Sequence, residues 1–190
     1  MITATRSLIL ILCLALLAPV AYAQDPPRNL VAPEERAPAR SVRTVLDRMF
    51  YDYDVVELPL AALDQQVKSQ GRVALLLRSQ LFQLELSPND LRAEGYREVL
   101  IVDGATVEHS PGPVVTFAGR VAGDPESVVR VTATRGMFTG YIKTGDEWLF
   151  IDPLREYVPG APARLAVVYR EADVRPEAGG QCGLEHLRKA

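Results

Sequence analysis

Phe117-Ala118-Gly119-Arg120-Val121-Ala122-Gly123-Asp124-Pro125-Glu126-Ser127-Val128-Val129-Arg130-Val131-Thr132-Ala133-Thr134-Arg135-Gly136-Met137-Phe138-Thr139-Gly140-Tyr141-Ile142-Lys143 is the densest β-type stretch of the chain. Val129 and Val131 alternate with Arg130 and Thr132, the period of a strand with one face buried. Val114–Val121, Ser127–Thr134 and Met137–Lys143 are the expected strands, with turns at Ala122–Glu126 and Arg135-Gly136. Thr144-Gly145-Asp146 is a tight hairpin loop, and Trp148–Ile151 is the next strand, stopped by Asp152-Pro153. Ala163–Arg170 is the last strand. Short strands separated by turn signals at this spacing point to an antiparallel sandwich or barrel.

Upstream, Asp54–Pro59, Arg72–Leu77, Leu81–Leu86 and Tyr96–Val102 are further strands, the last closed by Asp103-Gly104. Phe82, Leu84 and Leu86 alternate with Gln83 and Glu85. Ser87–Asp90 is a turn and His109–Pro113 a loop. Leu60–Gln70 fits a helix ended by Gly71, and Val42, Val45, Leu46 and Met49 recur at helical spacing behind Ser41 as N-cap. The aromatic cluster Phe50-Tyr51-Asp52-Tyr53 is expected under that first helix, and Trp148 in the core. The fold class is therefore mainly β: an antiparallel β-sandwich or barrel-like domain over residues 41–170 with one or two short N-terminal helices.

Outside this body the composition changes. Arg6, the apolar run Leu8–Leu17 and Ala21-Tyr22-Ala23 form a signal peptide over residues 1–23, with Gln24 the expected new N-terminus. The run is too short for a membrane span, which takes about 20 apolar residues. Such a leader without further signals implies an exported protein, periplasmic or extracellular, of bacterial type. Residues 24–40 hold four prolines and mixed charge and are expected as a disordered arm. Residues 171–190 lose the strand alternation and form a flexible, glycine-rich tail. A net charge of -3 argues against nucleic acid and against a polybasic membrane contact.

Cys182 lies in that tail, in Gly179-Gly180-Gln181-Cys182-Gly183, and is the one cysteine left once Cys13 departs with the leader. An odd cysteine in an exported chain signals intermolecular pairing or a thiol with a task. Its plain alternative is a surface thiol with no ligand. His186 is four residues on, but the glycines oppose the helix that would join the two. Candidate carboxylates Asp103, Asp124, Glu126 and Asp152 are all placed at turns, where such residues serve conformation and solvation. A glycosidase would need two of them facing one cleft.

Several fragments, in order, resemble the propeptide domain of reprolysin/adamalysin-type (ADAM-like) zinc metalloproteases. Phe82–Asn89 is similar to that family's F-x-L-x-L-x-x-N strand and turn. Phe117–Ser127 is similar to its Y-x-G-x-V-x-G-x-x-x-S hairpin, and Val129–Ile142 to its S-T-C-x-G-L-x-G-x-I segment, with Ala133-Thr134 where the cysteine would stand. Trp148–Leu154 resembles the Y-x-I-E-P-L strand, Ala166–Arg170 the strand before the tail, and Gln181-Cys182-Gly183 the cysteine-switch position. The resemblance implies a domain that keeps a zinc metallopeptidase latent or assists its folding. Cys182 would ligate the partner's zinc in trans, flanked by Gly180 and Gly183. With only His109 and His186, the sequence has no H-E-x-x-H and so no peptidase site or resident cofactor of its own. The competing reading is a secreted structural or adhesive β-domain with no protease partner.

Overall fold

The computed structural model describes residues 30–31 and 33–176. In chain order the elements are β1 (Leu30–Val31), β2 (Glu34–Glu35), α1 (Arg40–Leu46), β3 (Asp54–Glu57), α2 (Leu60–Gln70), β4 (Arg72–Leu77), β5 (Gln80–Pro88), β6 (Glu98–Val102), β7 (Ala105–His109), β8 (Thr116–Val121), β9 (Asp124–Thr134), β10 (Met137–Thr144), β11 (Glu147–Pro153) and β12 (Leu165–Arg170). Single 3-10 turns lie at Leu154–Glu156 and Glu171–Asp173. Ten strands form one sheet in the order β1-β4-β5-β8-β9-β10-β11-β12-β3-β2, antiparallel except for β1 on β4; β6 and β7 pair separately. The sheet curls into a half-barrel. Of the two architectures the strand spacing allows, the barrel-like one is found.

The curl follows from one connection. β3 stands ninth in the sheet and β4 second, and α2 joins them directly. In a flat sheet these strands would lie about 33 Å apart, seven spacings of roughly 4.8 Å. Eleven helical residues span only ~16 Å. The three residues outside the helix add at most ~11 Å. The sheet must bend to bring its ends within that reach, and α2 then fills the concave side. Leu60, Leu63 and Val67, on one stripe of α2, pack with Val73, Leu75, Phe82, Leu84, Val129, Phe138, Ile142, Ile151 and Val168 in one buried cluster. Each such side chain contributes about 1.5–3 kcal/mol on burial. Gly71 ends α2 in the left-handed conformation, φ 60°, and a Cβ there would lie 2.7 Å from the Leu86 carbonyl oxygen, so glycine is required twice over.

A second, smaller core covers the convex face at the β11-β12-β3 end. Val55, Val167 and Tyr169, which alternate with inward Val56, Ala166 and Val168, meet Leu46 of α1, Phe50 and Leu154. The aromatic cluster divides accordingly: Phe50 is buried, Tyr53 half-buried and Tyr51 exposed.

Several boundaries are corrected. Ala39, not Ser41, precedes α1, and no side chain caps it. In the stretch expected as a disordered arm, Leu30–Val31 and Glu34–Glu35 pair with β4 and β3, because those edge strands offer unpaired backbone groups. In the stretch expected as a flexible tail, Glu171–Asp173 forms a 3-10 turn and Val174 bridges Phe50. His109 ends strand β7 rather than sitting in a loop. Among the described residues no helix is long and apolar enough to cross a membrane.

Leu63 is fully buried at the centre of the curl. Leu63→Ala is expected to lower unfolding stability by about 2–5 kcal/mol, measured by urea denaturation. A loss below ~1 kcal/mol would contradict α2 as the filler of the sheet.

Candidate functional site

Cys182, Gly180 and Gly183, together with His186, lie outside the described residues. What the structure does describe is the base from which that segment departs. The Arg175 amide donates to the Met49 carbonyl at 2.8 Å, its Nε to the Phe50 carbonyl at 3.1 Å, and the Tyr51 amide to the Asp173 carbonyl at 2.7 Å. The Arg175 guanidinium covers the Tyr51 ring at 4.2 Å from its centroid, a cation–π contact. The chain is thus fixed to the loop after α1 as far as Arg175.

Asp173 also belongs to an ion cluster that the sequence did not announce. Arg78 and Ser79 form the two-residue turn between β4 and β5, both at positive φ, 49° and 60°. A non-glycine residue there costs roughly 1–2 kcal/mol. The left-handed turn aims the Arg78 side chain, only 11% exposed, at three carboxylates. It hydrogen-bonds Asp52, and lies 4.0 Å from Asp54 and 3.8 Å from Asp173. Burial holds the Asp54 carboxyl above its ordinary range, and the Arg78 charge opposes that shift. Arg78 thereby ties the β4–β5 turn to the start of β3, near opposite ends of the sheet, and to the segment leading to Cys182.

The carboxylates singled out from sequence do not converge on one site. Asp103 occupies the β6–β7 turn at φ 51°. Asp124 and Glu126 begin β9, where Asp124 accepts the Glu126 amide at 3.2 Å. Ser127, buried beside them, accepts the Val121 amide at 2.8 Å and donates to the Asp124 carbonyl at 2.6 Å, bracing the β8–β9 turn. Asp152 lies within β11 instead of a turn and accepts the hydroxyls of Tyr157 at 2.7 Å and Tyr169 at 2.8 Å. Burial pushes the Tyr169 phenol up to about 12, Asp152 reinforcing it, and raises Tyr157 still more. His109 faces Glu98 at 3.5 Å.

Trp148 is not in the core. Leu149 and Ile151 take the inward positions of β11, which leaves Trp148 and Phe150 on the convex face. There Tyr141, Trp148, Phe150 and Tyr169 make an aromatic row with successive centroids 5.0, 6.3 and 5.3 Å apart, and Lys143 lies 5.4 Å from the Trp148 ring. Among the surface grooves of the described residues are one of ≈ 710 Å³ beside Arg72, Glu85, Arg120 and Arg130 and one of ≈ 560 Å³ beside Trp148 and Arg170. In the first, Arg72 and Arg120 approach Glu85 at 3.4 and 3.3 Å. Among the described residues no group of three or more His, Cys, Asp or Glu could hold a metal ion. No protein-family model matches the sequence, and no curated protein matches it.

Two outcomes are expected. Tyr169 favours its protonated form in the folded state, so its contribution to stability is complete below about pH 10, its unfolded value, and is lost as pH rises through about 12. Tyr169→Phe should flatten the fall in stability across that window and remove one late proton from the absorbance titration at 295 nm; loss of a proton titrating near pH 10 instead would exclude a buried, Asp152-bonded phenol. Arg78→Ala should cost about 3 kcal/mol by leaving three carboxylates together. It should also speed amide exchange at Tyr51 and Arg175, whereas unchanged exchange there would separate the ion cluster from the C-terminal anchor.

Proposed function

We propose that this chain is an exported metalloprotease-propeptide-like domain that keeps a zinc metallopeptidase latent, or assists its folding, with Cys182 as the ligand for the partner's zinc. The observation that carries the reading is the fixed departure point of the thiol segment. Cys182 follows Arg175 by seven residues, and Arg175 is bonded to Met49 and Phe50. The thiol is therefore confined to within ~25 Å of that point, at full extension of the chain. A confined thiol meets a docked partner at a higher effective concentration than a free one. The body supplies the docking surface.

The chemistry needs little from the body itself. A catalytic zinc keeps three protein ligands and one open position. A thiolate in that position, at ~2.3 Å from the metal, excludes the water that would attack a peptide. The metal lowers the thiol pKa, so no neighbouring base is required. Gly180 and Gly183 would let the backbone pass close to the cleft. The ordered fragments Phe82–Asn89, Phe117–Ser127 and Trp148–Leu154 support the family reading, and each lies on a strand or turn of the curled sheet. A structural or adhesive role is the second reading, favoured by the exposed aliphatic hairpin β6–β7.

The test is inhibition of a reprolysin-type zincin by purified protein, wild type beside Cys182→Ala and a thiol-alkylated form. Inhibition by wild type and its loss in both altered forms is the expected result. Equal inhibition by all three would keep protease binding and remove the thiol from the mechanism. No inhibition by any form, across several such enzymes, would leave the adhesive reading.

A further inference from the structure

The hairpin β6–β7 stands apart from both cores. Among the described residues it pairs with no other strand, and an isolated two-stranded hairpin is marginal in water. Yet it is strongly aliphatic: Val99, Leu100, Ile101, Val102 and Val107 are all exposed, Ile101 by 78%. Asp103 and Gly104, at φ 51° and 78°, make a two-residue turn of the type that closes hairpins. The closing residues Val102 and Ala105 therefore exchange hydrogen bonds, and so do Leu100 and Val107 two steps on. The N–H and C=O groups of Val99 and Ile101 consequently point away from β7, along a free edge.

We infer that the β6 edge pairs antiparallel with the β6 edge of a second copy of this chain, about a two-fold axis at Leu100. The edge is self-complementary in that register and its chemistry selects the occupant. Val99 falls opposite Ile101 of the second copy, twice, and these two pairs exchange four backbone hydrogen bonds. Beyond the paired residues, Arg97, which also pairs with Glu108 of its own copy at 3.3 Å, comes near the turn residue Asp103 of the second copy, twice, so opposite charges meet at both ends of the seam. Leu100 faces its own counterpart as a non-hydrogen-bonded pair. The result is a continuous four-stranded sheet with Leu100, Val102, Ala105 and Val107 of each copy on one face. The β7 edge offers nothing equivalent, since pairing about Val107 would set Thr106 against Glu108. This inference does not depend on the protease reading, because Cys182 takes no part in it.

The test uses the cysteine-free chain, Cys13→Ser with Cys182→Ala. At a two-fold non-hydrogen-bonded pair the Cα atoms are about 4.5 Å apart, within the range of a disulfide. Leu100→Cys should therefore give a covalent dimer on mild oxidation. Val107→Cys, on the same face and comparably exposed, would be separated from its counterpart by three strand spacings, ~14 Å, and should stay monomeric. In sedimentation equilibrium the parent chain should double in mass as concentration rises, and Ile101→Lys should remain a monomer with an unchanged circular dichroism spectrum. Equal cross-linking at both positions, no cross-linking at 100, or a monomeric parent up to millimolar concentration would overturn the inference. So would a monomer that binds phosphatidylcholine vesicles through Ile101, which would make the hairpin a lipid contact.

Discussion

A single guanidinium holds together parts of this protein that the sheet alone would leave apart. Arg78 sits in the β4–β5 turn near one end of the ten-stranded order, and Asp52 and Asp54 precede and open β3 near the other. Their meeting is possible because α2 is too short to join β3 to β4 across a flat sheet. Helix length sets the curvature, curvature creates the concave volume, and the apolar stripe of α2 fills it. The ion cluster then bridges the two ends of the curl. The left-handed backbone at Arg78 is the conformational cost of aiming that side chain, and three carboxylates offset it.

The same cluster bears on the proposed function. Asp173, the third carboxylate, lies in the last turn before the segment that bears Cys182. Val174 and Arg175 add backbone pairing with Phe50 and Met49. A thiol meant to reach another protein's metal gains from a short, anchored approach, since a long free tail would dilute it. In the proposed latency mechanism the sheet is a platform and the tail is the effector, and Arg78 joins the two.

The sequence made the middle of the fold legible because alternation there is clean and turns are marked by glycine. β9, β10 and β11 follow Val129–Ile151 closely, and α2 ends at Gly71 as its helical spacing predicts. The rest is hidden from the sequence for physical reasons. β1 and β2 are two residues each and exist only because β4 and β3 offer edges, which no local pattern records. β7 could have been found from Asp103-Gly104 set between aliphatic runs. Trp148 reads as a core residue because its strand is apolar on both faces and hydrophobicity cannot tell inside from outside; only the register of Leu149 and Ile151 does. Arg78 was invisible because its partners come from Asp52, Asp54 and Asp173, which nothing in the linear order associates.

The pairing of β3 with β12 has a consequence for the order in which the chain can acquire its structure. Glu57 meets Arg164, 107 residues later, and Phe50 meets Arg175, 125 residues later. The second core therefore has no complete set of walls until β12 and Arg175 are synthesised. Contacts this distant carry a large loop-closure cost and slow folding. Until β12 arrives, β3 lacks its main partner and the apolar residues of the second core stay uncovered, and a nascent chain in that condition is a substrate for chaperones. The architecture thus builds a delay into maturation, and ties its end to the arrival of the strand that immediately precedes the thiol segment.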